Sequence, residues 1–120
     1  MKIAFPTSGN NLGSELDGRF GRAPKFLLYE TDNETIEVFD NKQNLNTAQG
    51  AGIQSAERVI RLGAKALITG HCGPKAFKVL SSAGVKIFTT DATTIVKALD
   101  LFRQGELLEA NISDVEGHWV

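Results

Sequence analysis

The sequence predicts a single α/β domain built on a mostly parallel sheet, and three observations carry that prediction. Gly63, Gly84 and Gly105 fall 21 residues apart, and each closes a stretch with helical hydrophobic period. Short apolar runs, Ala66-Leu67-Ile68-Thr69 and Val85-Lys86-Ile87-Phe88, lie between those stretches. In the N-terminal third, two more apolar segments are joined by Asp32-Asn33, which supplies turn residues. Strand and helix alternating at the length of one βα unit imply parallel pairing. The glycine spacing reflects the unit size and is not evidence of a sequence repeat.

The elements follow in chain order. Lys2 to Phe5 forms a first strand. Lys25 to Glu30, with its continuous Phe26-Leu27-Leu28-Tyr29 run, reads as an inner strand. Thr35 to Asp40, where Ile36 and Val38 flank Glu37, reads as a strand nearer the edge, antiparallel to the one before it. The first helix spans about Ala51 to Leu62 with Ile53, Ala56 and Ile60 inward. The second spans about Pro74 to Ala83 with Ala76, Phe77 and Leu80 inward. The third spans about Ala92 to Gln104 with Ile95, Leu99 and Phe102 inward. Pro74 suits a first helical turn, Asp91 an N-cap, and the three glycines left-handed positions after the helices. A right-handed crossover from the hairpin gives the sheet order 3-2-1-4-5, with strand 2 antiparallel and helices on both faces. The tail from about 107, ending His118-Trp119-Val120, is expected to be loosely packed.

Composition narrows the function classes. The 120 residues suit one domain, 1–120, and 42% hydrophobic content is enough for a core. A formal net charge of −1 gives no nucleic-acid footprint. No apolar run reaches the length of a membrane span, and the apolar start at Met1 to Pro6 is too short for a signal peptide. One cysteine cannot form an internal disulfide, and the expectation is a cytoplasmic protein with no membrane partner.

Ligands of open α/β sheets favour the crevice where connections leave in opposite directions, here between strands 1 and 4. The segment from Thr7 to Pro24 is longer than most connections, and its length and glycines predict a mobile binding loop. Ser8, Gly9 and Asn10 follow the first strand. Arg19 and Arg22 can grip an anion through planar, bidentate donors, or simply pair with carboxylates on a solvated loop. Gly50 and Gly52 open the first helix and let a ligand approach its N-terminus. The dinucleotide fingerprint is absent, since position 55 is Ser, and no P-loop Gly-Lys-Ser/Thr follows. Gly70-His71-Cys72-Gly73-Pro74 joins a buried strand to a helix. There Cys72 is expected to have a lowered thiol pKa, and His71 adds an imidazole. Two such residues cannot close a zinc site, but they suit a soft metal or a cluster that brings its own sulfides. A structural, buried Cys72 is the competing reading. No hydrolytic constellation is present. The predicted sheet order also occurs in RNase H-like nucleases, but the first strand offers no metal-binding carboxylate, which counts against that chemistry.

Gly18-Arg19-Phe20-Gly21-Arg22-Ala23-Pro24, Gly50-Ala51-Gly52-Ile53-Gln54 and Gly70-His71-Cys72-Gly73-Pro74-Lys75-Ala76-Phe77 together resemble the dinitrogenase iron–molybdenum cofactor biosynthesis family. That family takes in NifX-type carriers, the C-terminal domain of NifB and orange-protein-like members with a molybdenum–copper cluster. The resemblance covers nearly the whole chain. It implies an RNase H-like fold and a carrier of a metal–sulfur cluster or cluster precursor, of the iron–molybdenum or molybdenum–copper type, rather than an enzyme. It also implies a cluster-assembly protein as partner. The implied cluster site combines His71 and Cys72 as metal ligands with Ser8, Gly9, Asn10, Arg19, Arg22, Gly50, Gly52, Gly70, Gly73 and Lys75 around the anion. The alternatives are a binding module for a small anion or nucleotide without metal, and a regulatory interaction protein.

Overall fold

In the computed structural model, which describes residues 1–42 and 50–111, the chain runs β1 (Lys2–Thr7), a 3₁₀ turn (Phe20–Arg22), β2 (Lys25–Glu30), β3 (Thr35–Asp40), α1 (Ala51–Arg61), β4 (Ala66–Thr69), α2 (Pro74–Ser82), β5 (Lys86–Thr89) and α3 (Ile95–Arg103). The five strands form one sheet in the order β3-β2-β1-β4-β5. β2 is antiparallel to both β1 and β3, while β4 is parallel to β1 and β5. This is the order expected from the hairpin and the βα period.

Strand alternation divides the core between the two faces. Ile3, Phe5, Leu27, Tyr29, Ala66 and Ile68 point to one side and bury Ile95, Ala98 and Leu99 of α3. Ala4, Phe26, Leu28, Leu67 and Ile87 point to the other and bury Ala56 and Val59 of α1 with Ala76, Phe77 and Leu80 of α2. The α1–α2 face is the one that positions the site. Gly63, Gly84 and Gly105 take φ values of +86°, +81° and +72°, so the regular glycine spacing does end the helices in left-handed geometry.

Several sequence expectations are corrected. The buried stripe of α1 is Ser55, Ala56 and Val59, with Ile60 only partly covered, because the helix presents the face carrying its small residues to the sheet. α3 begins at Ile95 and is capped by Thr94, whose Oγ1 accepts from the Lys97 N–H at 3.3 Å; Asp91 is not the cap. Residues before Thr94 are instead committed to the β1–β2 segment, where the Leu16 N–H donates to the Thr93 carbonyl at 3.0 Å and Glu15 bridges Thr94.

That segment is not an open loop. Its Asp17 N–H donates to the Pro6 carbonyl at 2.8 Å and its Phe20 N–H to the His71 carbonyl at 3.3 Å, while Ser14 and Leu12 carbonyls accept from Ile95 and Val96 at 3.0 and 2.8 Å. The start of the tail is likewise held. Leu107 packs on the α3-side core, Glu109 bridges Phe88, and the Ala110 N–H donates to the Ile87 carbonyl at 2.7 Å. His118, Trp119 and Val120 lie outside the described residues. No helix among the described residues is long and apolar enough to cross a membrane.

Candidate functional site

Three pieces of chain converge on the α1–α2 side of the sheet: the 3₁₀ turn, the start of α1 and the loop from β4 into α2. Between them lies a cavity of about 410 Å³, lined by Arg19, Phe20, Gly21, Gly50, Gly52, Ile53, His71, Gly73, Pro74, Lys75 and Ala76. Phe20, Ile53, Pro74 and Ala76 supply apolar walls, and Arg19 and Lys75 supply cationic side chains at exposed positions. Phe20 is buried, with its ring 5.5 Å from that of Phe26. Arg19 is held at its backbone by Asp17, whose Oδ1 accepts the Arg19 N–H at 2.8 Å.

The two helices that open onto the cavity share one property. Gly50 caps α1 and Gly73 caps α2, neither cap donates or accepts through a side chain, and neither first turn holds an acidic residue. The first N–H groups of a helix have no intrahelical acceptor. Among the described residues, nothing accepts from the N–H groups of Ala51, Gly52, Ile53, Lys75 or Ala76. α3 differs: Ser14, Leu12 and Thr94 take up its first three donors. The cavity therefore faces two positive helix ends whose own first turns hold no acidic side chain.

Glycine is required where the walls touch. A Cβ on Gly21 would lie 2.9 Å from the Gly52 Cα and 3.0 Å from its nitrogen, so the turn and α1 meet backbone to backbone. A Cβ on Gly70 would lie 2.8 Å from the Gly18 Cα. At that crossing the β1–β2 segment passes over the end of β4, in the crevice between β1 and β4. Gly18 and Gly70 line a separate recess with Glu15, Leu16, Asp91 and neighbouring threonines on the α3 side.

The structure thus brings together Arg19, Gly50, Gly52, His71, Gly73 and Lys75 in one cavity. Gly70 faces the neighbouring recess. Arg22 is exposed on the 3₁₀ turn, outside the residues that line the cavity. Ser8, Gly9 and Asn10 also lie outside it: the Gly9 N–H donates to Thr7 Oγ1 at 3.0 Å, and Asn10 Oδ1 accepts from Lys25 Nζ at 2.7 Å.

Cys72 overturns the expectation of a lowered thiol pKa. It is 2% exposed and belongs to the core cluster beneath α1 and α2. Burial pushes its thiol up to about 12, because desolvation disfavours the thiolate more than the helix end favours it. Below pH 9 the thiol is protonated in both folded and unfolded chains. Between its ordinary value of 9.0 and about 12 only the unfolded chain ionises, so stability falls with rising pH. The expected slope from this group is about 1.4 kcal/mol per pH unit. Urea titrations across the alkaline range above pH 9 should give a steeper fall of stability in the wild type than in Cys72→Ala; equal slopes would disprove it.

The sequence reading did not place Ile53, Pro74 and Ala76 in the site, because as apolar helix residues they read as core or helix start. Among the described residues, no group of three or more His, Cys, Asp or Glu side chains is placed to hold a metal ion. Fold and site together define a small α/β domain with a cavity on one flank of its sheet edge, lined by two helix starts, Arg19 and Lys75. The chain belongs to the dinitrogenase iron-molybdenum cofactor family, whose sequence model matches residues 1–105.

Relatives agree over nearly the full length. An uncharacterized protein of Methanocaldococcus jannaschii is 34% identical over 110 residues, covering 89% of each chain. The apo form of the orange protein from Desulfovibrio gigas is similar with a TM-score of 0.84 and 34% identity, over 91% of this chain and 92% of that one. A NifB-like protein from Thermotoga is similar with a TM-score of 0.75 and 32% identity, over 90% and 91% of the two chains.

Proposed function

We propose that this protein binds and carries an anionic metal–sulfur cluster or cluster precursor, of the iron–molybdenum or molybdenum–copper type, without catalysing a reaction on it. One observation carries the reading: two glycine-capped helix N-termini, without a side-chain cap and with no acidic residue in either first turn, open onto one cavity beside Arg19 and Lys75. Backbone N–H groups and cations offset a cluster's charge, and the apolar walls suit sulfides, which are less strongly hydrated than oxygens. Gly50, Gly52 and Gly73 let the anion approach the backbone, and His71 adds an imidazole at the rim. The absence of a three-residue ligand set among the described residues favours a cargo that brings its own sulfides. In this reading Cys72 is a neutral thiol behind the wall, not the anchor. Release to a cluster-assembly partner is easier from such a site than from a cage of thiolates.

The test is anaerobic titration of the purified protein with tetrathiomolybdate, with and without Cu(I), read by visible absorption. Arg19→Ala and Lys75→Ala should each weaken binding by about tenfold, the loss of one charge-assisted hydrogen bond. Cys72→Ala should bind as the wild type does. Loss of binding in Cys72→Ala would restore the thiolate anchor, and a wild type that takes phosphate or sulfate but no thiomolybdate would make the protein a small-anion module.

A further inference from the structure

Asn41 and Ser55 are both buried polar residues, and neither lines the cavity. Asn41 follows the end of β3. Its Nδ2 donates to the Ala23 carbonyl at 2.9 Å and to Ser55 Oγ at 2.9 Å. Ser55, on the inner face of α1, passes the chain on: its hydroxyl donates to the Gly21 carbonyl at 3.4 Å. The Asn41 backbone N–H donates to the Pro24 carbonyl at 2.8 Å. Ala23 caps the 3₁₀ turn and Gly21 lies within it. One buried amide and one hydroxyl thus hold the carbonyls of the turn that carries Arg19 and press it onto the first turn of α1, where Gly21 meets Gly52.

We infer that Asn41 and Ser55 are positioning residues of the binding site: they fix the Arg19-bearing turn against the N-terminus of α1 and so set the geometry of the cavity wall. A buried serine on an otherwise apolar helix face has no packing advantage over alanine, and a buried asparagine is costly unless both amide hydrogens are used. Here each amide hydrogen has a named acceptor, and both acceptors lead to the turn. The pair ties three sequence-distant elements together where the turn and α1 meet backbone to backbone.

This inference rests on the proposed anion site, and two measurements separate its failure from the failure of that reading. The first compares tetrathiomolybdate binding in wild type, Ser55→Ala, Asn41→Ala, Ser55→Thr and Leu99→Ala. Leu99→Ala is a destabilised control in the opposite core. Ser55→Ala and Asn41→Ala should lose at least tenfold in affinity, Leu99→Ala should lose little while still folded, and Ser55→Thr, which keeps the hydroxyl, should recover most of the loss. The second uses the free protein: amide exchange at Phe20, Arg22 and Ala23 should speed up in Ser55→Ala relative to Leu99→Ala. Wild-type affinity in Ser55→Ala, or unchanged exchange in the turn, overturns the inference. If the wild type binds no thiomolybdate, the carrier reading fails, and exchange in the turn alone decides the positioning role.

Discussion

Phe20→Ala should destabilise the protein by about 3–5 kcal/mol, the usual cost of truncating a buried aromatic ring. Phe20 is 2% exposed, packs against Phe26 at 5.5 Å, and forms part of the cavity wall. It is a plug between the site and the core below, where Cys72, Ala76 and Phe77 lie in the same cluster. Its removal joins the cavity to a new void that the surrounding backbone cannot fill, because the Phe20 N–H remains tied to the His71 carbonyl. Urea denaturation should show the loss, and Tm should fall by roughly 10–20 °C for a domain of this size. Cys72 should become reactive to a bulky thiol reagent in the folded variant. Phe20→Leu should retain most of the stability. A cost below about 1 kcal/mol for Phe20→Ala would mean that the site floor collapses freely and that the ring is no plug.

The second large effect is a contrast between two glycines that face each other. Gly21→Ala places a Cβ within 3.0 Å of Gly52 backbone atoms, and backbone cannot rotate aside. The turn and the helix must separate, at a cost of about 1–3 kcal/mol. Binding should suffer as well, since Arg19 moves with the turn. Among the described residues, Gly52→Ala meets the Ala76 Cβ at 3.6 Å, an ordinary contact. It should leave stability unchanged or raise it by up to about 1 kcal/mol through helix propensity. Thermal unfolding of both variants, with thiomolybdate titration of each, provides the check. Equal stability losses would show that the contact between turn and helix is not what restricts Gly21.

The fold was legible because its signals are local. Gly63, Gly84 and Gly105 mark helix ends through a backbone conformation that only glycine adopts cheaply, and the strands between them carry short apolar segments. The start of α3 was misread for the opposite reason. Thr94 caps the helix because residues from a loop some eighty positions earlier pair with the chain before it, and no local pattern encodes that partner. The site was legible in outline, since short-loop glycines and cations cluster in three motifs. Its interior was not. Cys72 looked reactive from its place before a helix, yet the same loop turns it under α2 into the core, where desolvation dominates. Ser55 was read only as a residue that spoils a nucleotide motif, although a serine between the inward positions of α1 was the available sign of a buried hydrogen bond.

The crossing of Gly18 over Gly70 has a consequence for how such a domain can diverge. The residues next in sequence, Arg19 and His71, line the α1–α2 cavity, while Gly18 and Gly70 themselves line the recess beside α3. Among the described residues, the strand-end edge, which in an open α/β sheet is one continuous crevice, is divided at this crossing, with separate linings on its two sides. Substitutions at Glu15, Asp91 or Thr93 can reshape one compartment while leaving the lining of the other intact. Two glycines thereby make the two halves of one sheet edge independently variable, and a change at either glycine reaches both.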